Sequence, residues 1–311
     1  MNETKTNRLK SLAAAGMKMR YGDKPDRAVI LRILWELKHI IDAGFEDHYI
    51  MAFWIFRHYA EIENIGYWGR GAMCSSIVCY CLGLSEVDPL RFGLHSARFV
   101  NDDLPRFQFD VEASRYDEFV QGSQDVLAAN AKDYDIEIVR RCLSKDVTPM
   151  AYLSRKREAA EPKDLDDEIA REALIRPDTM DLYDAYMRRK SDGLWTKHGG
   201  RLDEILAPTC GILAYQEQMI DILRQFFHVR GVKTNQIRLS IQRGDTEQVE
   251  AYKQELFAHL EDLTEKKAEW LWQLLTSNPR AFLKAHAVSR VLAKCHFDSN
   301  IDDVLTDYNS L

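Results

Sequence analysis

The sequence predicts a predominantly helical α+β fold. Apolar side chains recur at helical spacing between Ala28 and Ala43, and Gly44 follows as a stop, which predicts a core-facing helix. Its apolar positions are Ile30, Ile33, Leu34, Leu37, Ile40 and Ile41. The stretch Leu104 to Glu112 alternates instead, as a half-buried strand does. One side of that strand carries Phe107, Phe109 and Val111, and the other carries Arg106, Gln108, Asp110 and Glu112.

Further elements follow in chain order from apolar spacing and breaker residues. An aromatic-rich helical segment precedes Gly66, and its apolar side chains are expected in the core. Its two histidines, His48 and His58, are expected to be partly exposed and to have no metal role. A glycine-flanked turn and a short buried helix come next, before the strand. Beyond about residue 165 the chain is helical, and it ends in a long amphipathic stretch predicted from about Thr246 to Leu275.

Composition limits the class of protein. The 311 residues are 46% hydrophobic and 29% charged, which is typical of one large globular domain or two smaller ones. The net charge of −7 argues against coating nucleic acid by charge alone but leaves room for a local basic groove. No apolar run approaches bilayer length and no signal peptide is evident, so we expect a cytoplasmic protein without a membrane partner. The six cysteines lack CxxC spacing, which favours reduced, buried thiols.

A basic segment divides the chain. Residues from about Arg140 to Lys163 contain Pro149 and Pro162 as breakers, which indicates a linker or hinge. We therefore expect a first region at 1–138 with the turn and the strand, a hinge at 139–165, and a helical region at 166–311.

The turn formed by Gly69, Arg70 and Gly71 (the GRG turn) is a candidate phosphate site. Its glycines permit close backbone approach, Arg70 offers a forked cation, and the following helix offers N–H groups at its start. By itself the pattern is a weak signal, because a tight turn with a surface arginine has the same sequence.

In order along the chain, these segments resemble the bacterial replicative DNA polymerase III alpha subunits, the C-family polymerases. GRGAMCSSIVCYCLGLSEVDPL is similar to that family's GRGS..GSLVAYLLGIT..DPL, and LDEILAPTCGILAYQEQMIDI to its ILxxTYGIxVYQEQVM. AREALIRPDTMDLYDAYMRRK, NQIRLSIQRGDTEQ and FLKAHAVSRV resemble three further family segments. The resemblance covers most of Leu9 to Val291. It implies a reduced polymerase palm with thumb-like and fingers-like helical parts, in a truncated relative without the family's terminal domains.

The resemblance also implies that the catalytic centre is degenerate. In the family, PDxDxDF supplies two metal-binding aspartates, and in the register set by Pro105 they fall on Arg106 and Gln108. Asp110 matches only the third acidic position. The family's remaining catalytic aspartate lies in a DFLGL-like strand, and no such run follows Glu112 before Arg176. Polymerases need converging carboxylates to hold two Mg²⁺ ions, so we expect no catalytic residues and no cofactor here.

Several groups that contact phosphate in the family are retained or nearly so. The expected phosphate-binding or nucleotide-binding residues are Gly69, Arg70, Gly71, Ser76, Arg238, Arg243, Lys284 and His286. We therefore expect a pseudo-polymerase that binds DNA, nucleotide or a protein partner such as a replisome or mobile-element component.

Two alternatives stay open. In the first, an active nucleotidyltransferase binds Mg²⁺ through Asp110 and Glu112, which lie on one strand face, with a third acid from Asp102, Asp103 or Asp133. In the second, the chain is a non-catalytic scaffold subunit that binds no nucleic acid, which the acidic net charge favours.

Overall fold

The chain forms two compact units. The computed structural model describes residues 4–143, 147–150, 162–176 and 179–297. Unit 1 comprises Met1–Arg155 with Val288–Ala293, and unit 2 comprises Lys156–Ala287 with Lys294–Leu311. The step from one unit to the other at residue 155 falls inside the stretch 139–165 that was predicted as a hinge.

Unit 1 is mainly helical, with one small sheet. Its helices are α1 (Lys5–Tyr21), α2 (Arg27–Asp42), α3 (Glu46–Ala52), α4 (Ala60–Glu63), α5 (Ile77–Cys81), α6 (Tyr116–Ala129) and α7 (Ile136–Leu143). Its strands are β1 (Tyr67–Arg70), β2 (Gln108–Glu112) and β3 (Val147–Met150). A π-helical segment, Phe53–Tyr59, joins α3 to α4, so the aromatic-rich stretch is one nearly continuous helix. The predominantly helical α+β fold predicted from the sequence is confirmed.

The sheet has the order β1, β2, β3, with β1 antiparallel and β3 parallel to β2. The alternation in the sequence gave the correct faces of β2, because Phe107, Phe109 and Val111 are buried. The ring of Phe109 stacks on Phe56 of the π-helical segment, with 3.3 Å between ring centroids. The apolar face of the sheet is thereby fixed against the long helix, and the polar face of β2 points the other way.

Part of the predicted hinge is regular structure. Helix α7 continues through residues 139–143, and β3 pairs with β2 in parallel register, with Thr148 beside Asp110. Pro149 had suggested a breaker, but β3 is an edge strand, where a missing N–H is tolerated. Residues 144–146 and 151–161 of the predicted hinge lie outside the described residues.

Two predictions for the helices of unit 1 were wrong. In α2 the residues Ile33, Leu37 and Ile40 are buried, but Ile30 and Leu34 are exposed, because the apolar positions span more than one helix face. His48 is buried rather than partly exposed, since α3 packs against both α1 and α7. The side chain of His58 lies outside the described residues.

Unit 2 is a helical bundle. Its helices are α8 (Leu165–Leu174), α9 (Met180–Asp192), α10 (Arg201–Leu206), α11 (Gln216–Phe226), α12 (Val232–Arg243), α13 (Thr246–Phe257), α14 (Glu265–Ser277) and α15 (Lys284–Phe297). A core that includes Leu223, Ile237, Leu271 and Trp272 joins α11, α12 and α14. The amphipathic stretch predicted at 246–275 is two helices, separated by residues 258–264. Helix α15 supplies Val288–Ala293 to unit 1.

Candidate functional site

The GRG turn begins as a strand and is packed closely by its own chain. Gly69 belongs to β1, and a Cβ there would overlap the carbonyl oxygen of Leu84. Gly71 has a φ of +73°, and a Cβ there would overlap the side-chain oxygen of Gln108. Gly69 is therefore required for packing against backbone, and Gly71 for its left-handed backbone conformation, independently of any ligand.

A buried glutamate caps the short helix after the turn. The carboxylate of Glu36 accepts hydrogen bonds from the backbone N–H groups of Ile77 and Val78 at 3.2 and 3.1 Å. It also accepts one from the hydroxyl of Ser76 at 2.7 Å and one from Arg32 Nε at 2.7 Å. The N–H groups expected to face phosphate are thus already bonded to an internal anion, and Ser76 serves as the N-cap of α5.

Asp110, the residual acid of the strand, is held by two neighbours. Arg70 Nε lies 3.0 Å from Asp110 Oδ1, and the hydroxyl of Thr148 donates a hydrogen bond to that same oxygen. The N–H of Arg70 is not aligned for a hydrogen bond, so the contact is an ion pair without one. The structure therefore brings together two residues to which the sequence had given separate roles, Arg70 for phosphate and Asp110 for metal.

The two positions at which the resemblance implies metal aspartates lie two and four residues before Asp110 in the chain. Arg106 is exposed and precedes β2, and Gln108 pairs with Arg70 across the sheet. Glu112, at the far end of β2, accepts a hydrogen bond from the Ser114 hydroxyl at 2.5 Å, and this bond lowers the pKa of the Glu112 carboxyl. The polar face of β2 thus carries two acids, each with a protein hydrogen-bond donor.

The described residues contain one group of three side chains spaced for a metal ion. It consists of His228, Glu261 and Asp262, all exposed and all in unit 2. The acids considered for a Mg²⁺ site, Asp102, Asp103 and Asp133 with Asp110 and Glu112, form no such group among the described residues. The His228 group has no counterpart in the sequence prediction, and exposed charged residues of this kind are common without a metal.

The predicted arginines of unit 2 lie at one helix but in different environments. Arg238 is 2% exposed, and it donates hydrogen bonds to Asn235 at 3.0 Å and to Gln242 at 2.6 Å. Arg243 is exposed and is the last residue of α12, next to Gly244. Arg243 is accessible to an anionic ligand, whereas Arg238 contributes to the packing of its own helix.

The start of α15 carries the predicted residues Lys284 and His286. The buried carboxylate of Glu217 accepts hydrogen bonds from the backbone N–H groups of Lys284 at 2.9 Å and Ala285 at 3.4 Å. Burial lowers the pKa of the Lys284 ammonium, although Glu217, Asp166 and Asp221 act in the opposite direction. The ring of His286 lies 5.7 Å from that of Phe282, between centroids. Glu217 thus performs in unit 2 the capping role that Glu36 has in unit 1.

The residues around Glu217 form a polar network at the start of α11. The Gln218 carboxamide accepts hydrogen bonds from the N–H groups of Ala214 and Tyr215, both at 2.9 Å. It donates to the carbonyl of Ile205 at 3.0 Å and to the Thr209 hydroxyl at 2.7 Å. This network joins α11 to the end of α10, so one of the runs that resemble the polymerase family is a structural junction.

Four residues that hold these groups were missed from the sequence: Glu36, Thr148, Glu217 and Ser289. Ser289 donates a hydrogen bond to the Gly69 carbonyl at 2.8 Å and accepts one from Trp68 Nε1 at 3.1 Å, which fixes β1 beside Arg70. A signal existed for Glu36, because a charge at the core-facing spacing of Ile33 and Ile40 must find a buried partner. Thr148 and Ser289, which have small hydroxyl side chains, gave no such signal.

The predicted phosphate residues are divided between the two units. Gly69, Arg70, Gly71 and Ser76 lie within a few residues of each other in unit 1. Arg238, Arg243, Lys284 and His286 belong to unit 2.

Comparison with known proteins assigns the chain to a polymerase family. Residues 7–136 match the bacterial DNA polymerase III alpha NTPase domain, and residues 154–263 match the bacterial DNA polymerase III alpha subunit finger domain. The two matches together cover most of the chain and follow the family's order. The chain therefore belongs to the bacterial DNA polymerase III alpha family.

Curated relatives carry the name error-prone DNA polymerase. Error-prone DNA polymerase 1 of Rhizobium meliloti (strain 1021) is 34% identical over 122 residues, which is 38% of this chain and 11% of the relative. The corresponding protein of Burkholderia mallei (strain ATCC 23344) is 35% identical over 121 residues, again 38% and 11%. That of Anaeromyxobacter sp. (strain K) is 32% identical over 116 residues, 36% and 10%. The matches thus span about a tenth of the relatives' length.

In the described part of the chain, no helix is both long enough and apolar enough to cross a bilayer.

Proposed function

We propose that this chain is a pseudo-polymerase, a DNA polymerase III alpha-like protein that binds DNA, nucleotide or a replication-related protein without extending DNA. The observation that carries the proposal is the set of polar side chains from Arg106 to Asp110, just before and on β2. Arg106 and Gln108 stand at the family's metal-aspartate positions, and the remaining acid, Asp110, is paired with Arg70. A divalent cation requires anionic oxygen ligands, and a guanidinium beside its site repels it.

The binding part of the proposal rests on the cations that remain. Arg70 is partly exposed, and Arg243 is exposed at the end of α12. Such groups bind phosphate through charge and hydrogen bonds and need no metal. The partner we propose is DNA or a nucleotide, together with a protein such as a replisome or mobile-element component. We place this function in the cytoplasm.

Primer extension tests the loss of polymerase activity. The chain would be incubated with a labelled primer–template, all four deoxynucleotides, and either Mg²⁺ or Mn²⁺. We expect no extension above a heat-denatured control. Extension that disappears in the Asp110→Ala variant would overturn the proposal and support the alternative, an active nucleotidyltransferase with rearranged carboxylates.

A gel-shift series over a range of salt concentrations tests DNA binding and separates the proposal from a scaffold. Phosphate contacts predict binding that weakens steeply as salt rises, because bound counterions are released on association. Arg243→Ala should weaken DNA binding, whereas Arg201→Ala should not, because Arg201 is exposed but paired with Glu204. Absence of DNA and nucleotide binding at low salt would favour the non-catalytic scaffold subunit.

A further inference from the structure

A histidine and two acids of unit 2, the His228 group, converge at the surface. His228 Nε2 lies 3.9 Å from Glu261 Oε2 and 3.6 Å from Asp262 Oδ2. One ligand atom from each of the three residues lies within 4.8 Å of the other two. Zinc binds nitrogen and oxygen at about 2.0–2.2 Å, so two ligands of a tetrahedral ion stand about 3.4 Å apart. The two distances from His228 are close to that spacing, so small side-chain rotations would place all three ligands around one ion.

The core of unit 2 holds both chain segments that supply the group. His228 follows Phe227, which is 8% exposed and belongs to that core. Leu260 and Leu263, which flank the two acids in the chain, pack against the same core. The rings of Phe227 and Phe257 stack with 6.3 Å between centroids, which joins the chain after α11 to the end of α13. Because folding already brings the two segments together, binding of an ion costs little further backbone entropy.

The types of ligand in the His228 group indicate a transition metal. Zn²⁺ accepts imidazole nitrogen together with carboxylate oxygen, whereas Mg²⁺ and Ca²⁺ prefer shells made of oxygen alone. Exposed acids without an imidazole would not make this distinction. The side chains of His228, Glu261 and Asp262 are 41%, 74% and 84% exposed, so water or a group from another molecule can fill the remaining coordination positions.

We propose that His228, Glu261 and Asp262 bind one Zn²⁺ ion, which ties the chain just after α11 to the loop between α13 and α14. The two carboxylates supply the negative charge, and the imidazole supplies the ligand that distinguishes zinc from magnesium. The site lies in unit 2 and uses no residue of β2. It therefore does not depend on the proposed pseudo-polymerase function.

Isothermal titration calorimetry with Zn²⁺ tests the proposal on the full chain without an affinity tag. We expect saturable binding of one ion per chain at micromolar Zn²⁺. Millimolar Mg²⁺ should not compete, because imidazole is a poor ligand for that ion. Competition by Mg²⁺ as strong as that of Zn²⁺ itself would overturn the assignment of the site to a transition metal.

Two variants remove the ligands with little effect on the fold. His228 has a φ of 51°, in the left-handed region that asparagine tolerates, so His228→Asn removes the imidazole without backbone strain. Glu261→Gln/Asp262→Asn removes both charges and keeps the side-chain sizes. Each variant should weaken Zn²⁺ binding at least tenfold. His259→Ala is the matched control, because His259 is an exposed histidine of the same loop outside the His228 group, and it should bind as the wild type does.

The outcomes separate a zinc site from simple ion pairs. Absence of saturable binding by the wild type would overturn the proposal, and the two acids would then form only ion pairs with a protonated His228. Binding that both ligand variants retain would overturn it as well, because the ion would then lie elsewhere in the chain. An equal loss of binding in His259→Ala would overturn the assigned ligand set. Circular dichroism would verify that all three variants are folded.

Discussion

Strand β2 of unit 1 and the start of α11 in unit 2 both lie in segments that resemble family motifs, yet they differ in what has been kept. Just before β2 and at its first residue, Arg106 and Gln108 stand where the family resemblance implies metal-binding aspartates. At α11 the YQEQ run is intact, and Gln216, Glu217 and Gln218 are all buried. Each of those three side chains hydrogen-bonds to backbone groups of another segment.

The difference separates residues that serve chemistry from residues that hold the fold. A catalytic aspartate on a partly exposed strand face can be replaced without leaving a buried group unpaired. The buried Gln218 carboxamide makes four hydrogen bonds and cannot be replaced in this way, because its loss leaves several donors and acceptors without partners. The chain thus keeps motif residues that the fold needs, which is what the proposed pseudo-polymerase function predicts.

The largest expected effect is at Glu36, the buried cap of unit 1. Glu36→Ala removes the partner of Arg32, of Ser76 and of two backbone N–H groups. Breaking a buried ion pair by removing one member costs about 3–5 kcal/mol. Denaturant unfolding should show a loss of stability of that order. Glu36→Gln, which keeps part of the hydrogen bonding, should lose less, and equal losses in both variants would contradict the capping role.

A somewhat smaller loss is expected at Gln218, the centre of the network in unit 2. Gln218→Ala leaves two N–H groups and two acceptors unpaired, at a cost of about 2–3 kcal/mol after water compensates in part. Thermal unfolding would measure the loss. The matched control is Gln248→Ala, because Gln248 is an exposed glutamine on α13. Equal stability of the two variants would contradict the claim that the buried YQEQ residues are kept because the fold needs them.

His48 should make the stability of unit 1 dependent on pH. Burial lowers the pKa of the His48 imidazole, while Asp47, the Phe45 backbone and Asp135 act in the opposite direction. A lowered pKa means that the fold prefers the neutral ring. The stabilisation is therefore present above the unfolded-state pKa of about 6.5 and is lost as pH falls through the lower folded-state pKa.

Denaturant unfolding at several pH values between neutrality and mild acid tests this prediction. The wild type should lose more stability on acidification than His48→Phe, which keeps a ring but does not titrate. Parallel pH profiles for the two proteins would contradict it.

The smallest effect on stability is expected at Asp110, the pair partner of Arg70. Both side chains are partly exposed, so Asp110→Asn should cost under about 1 kcal/mol. The same change releases Arg70 from its ion pair, so binding of a nucleoside triphosphate should strengthen. Calorimetric titration would measure both proteins, with Arg70→Ala/Asp110→Asn as the control that removes the gain. Weaker nucleotide binding by Asp110→Asn would contradict this prediction and would show that the Asp110 carboxylate contributes to nucleotide binding.

Local patterns were sufficient for much of the fold. Alternation around Phe109 identified the faces of β2, and helical spacing identified α2 and the helices of unit 2. Residues that pair over long sequence distances escaped notice: β1 and β3 are four residues each, too short to show a period, and β3 contains Pro149. The prediction of one long helix after Thr246 was wrong. Residues 258–264 interrupt that helix, and they contain no glycine or proline that would have indicated a break.

The candidate site was predictable only as a set of residue types. The sequence motifs singled out Arg70 and Asp110, but that they pair follows from the register of β1 on β2, which the sequence alone does not specify. Likewise, Glu36 reaches the start of α5 from a helix about forty residues earlier in the chain. Such partners depend on tertiary packing, because the chain must fold before a buried carboxylate meets its donors.

Binding of Mn²⁺ followed by electron paramagnetic resonance tests the central claim most directly. The chain would be titrated with Mn²⁺ in the presence of a nucleoside triphosphate and a primer–template, beside the Asp110→Ala/Glu112→Ala variant. We predict that the two proteins bind the same amount of Mn²⁺, because no metal pair forms on β2. Two additional ions bound by the wild type and lost in the variant would contradict the pseudo-polymerase account.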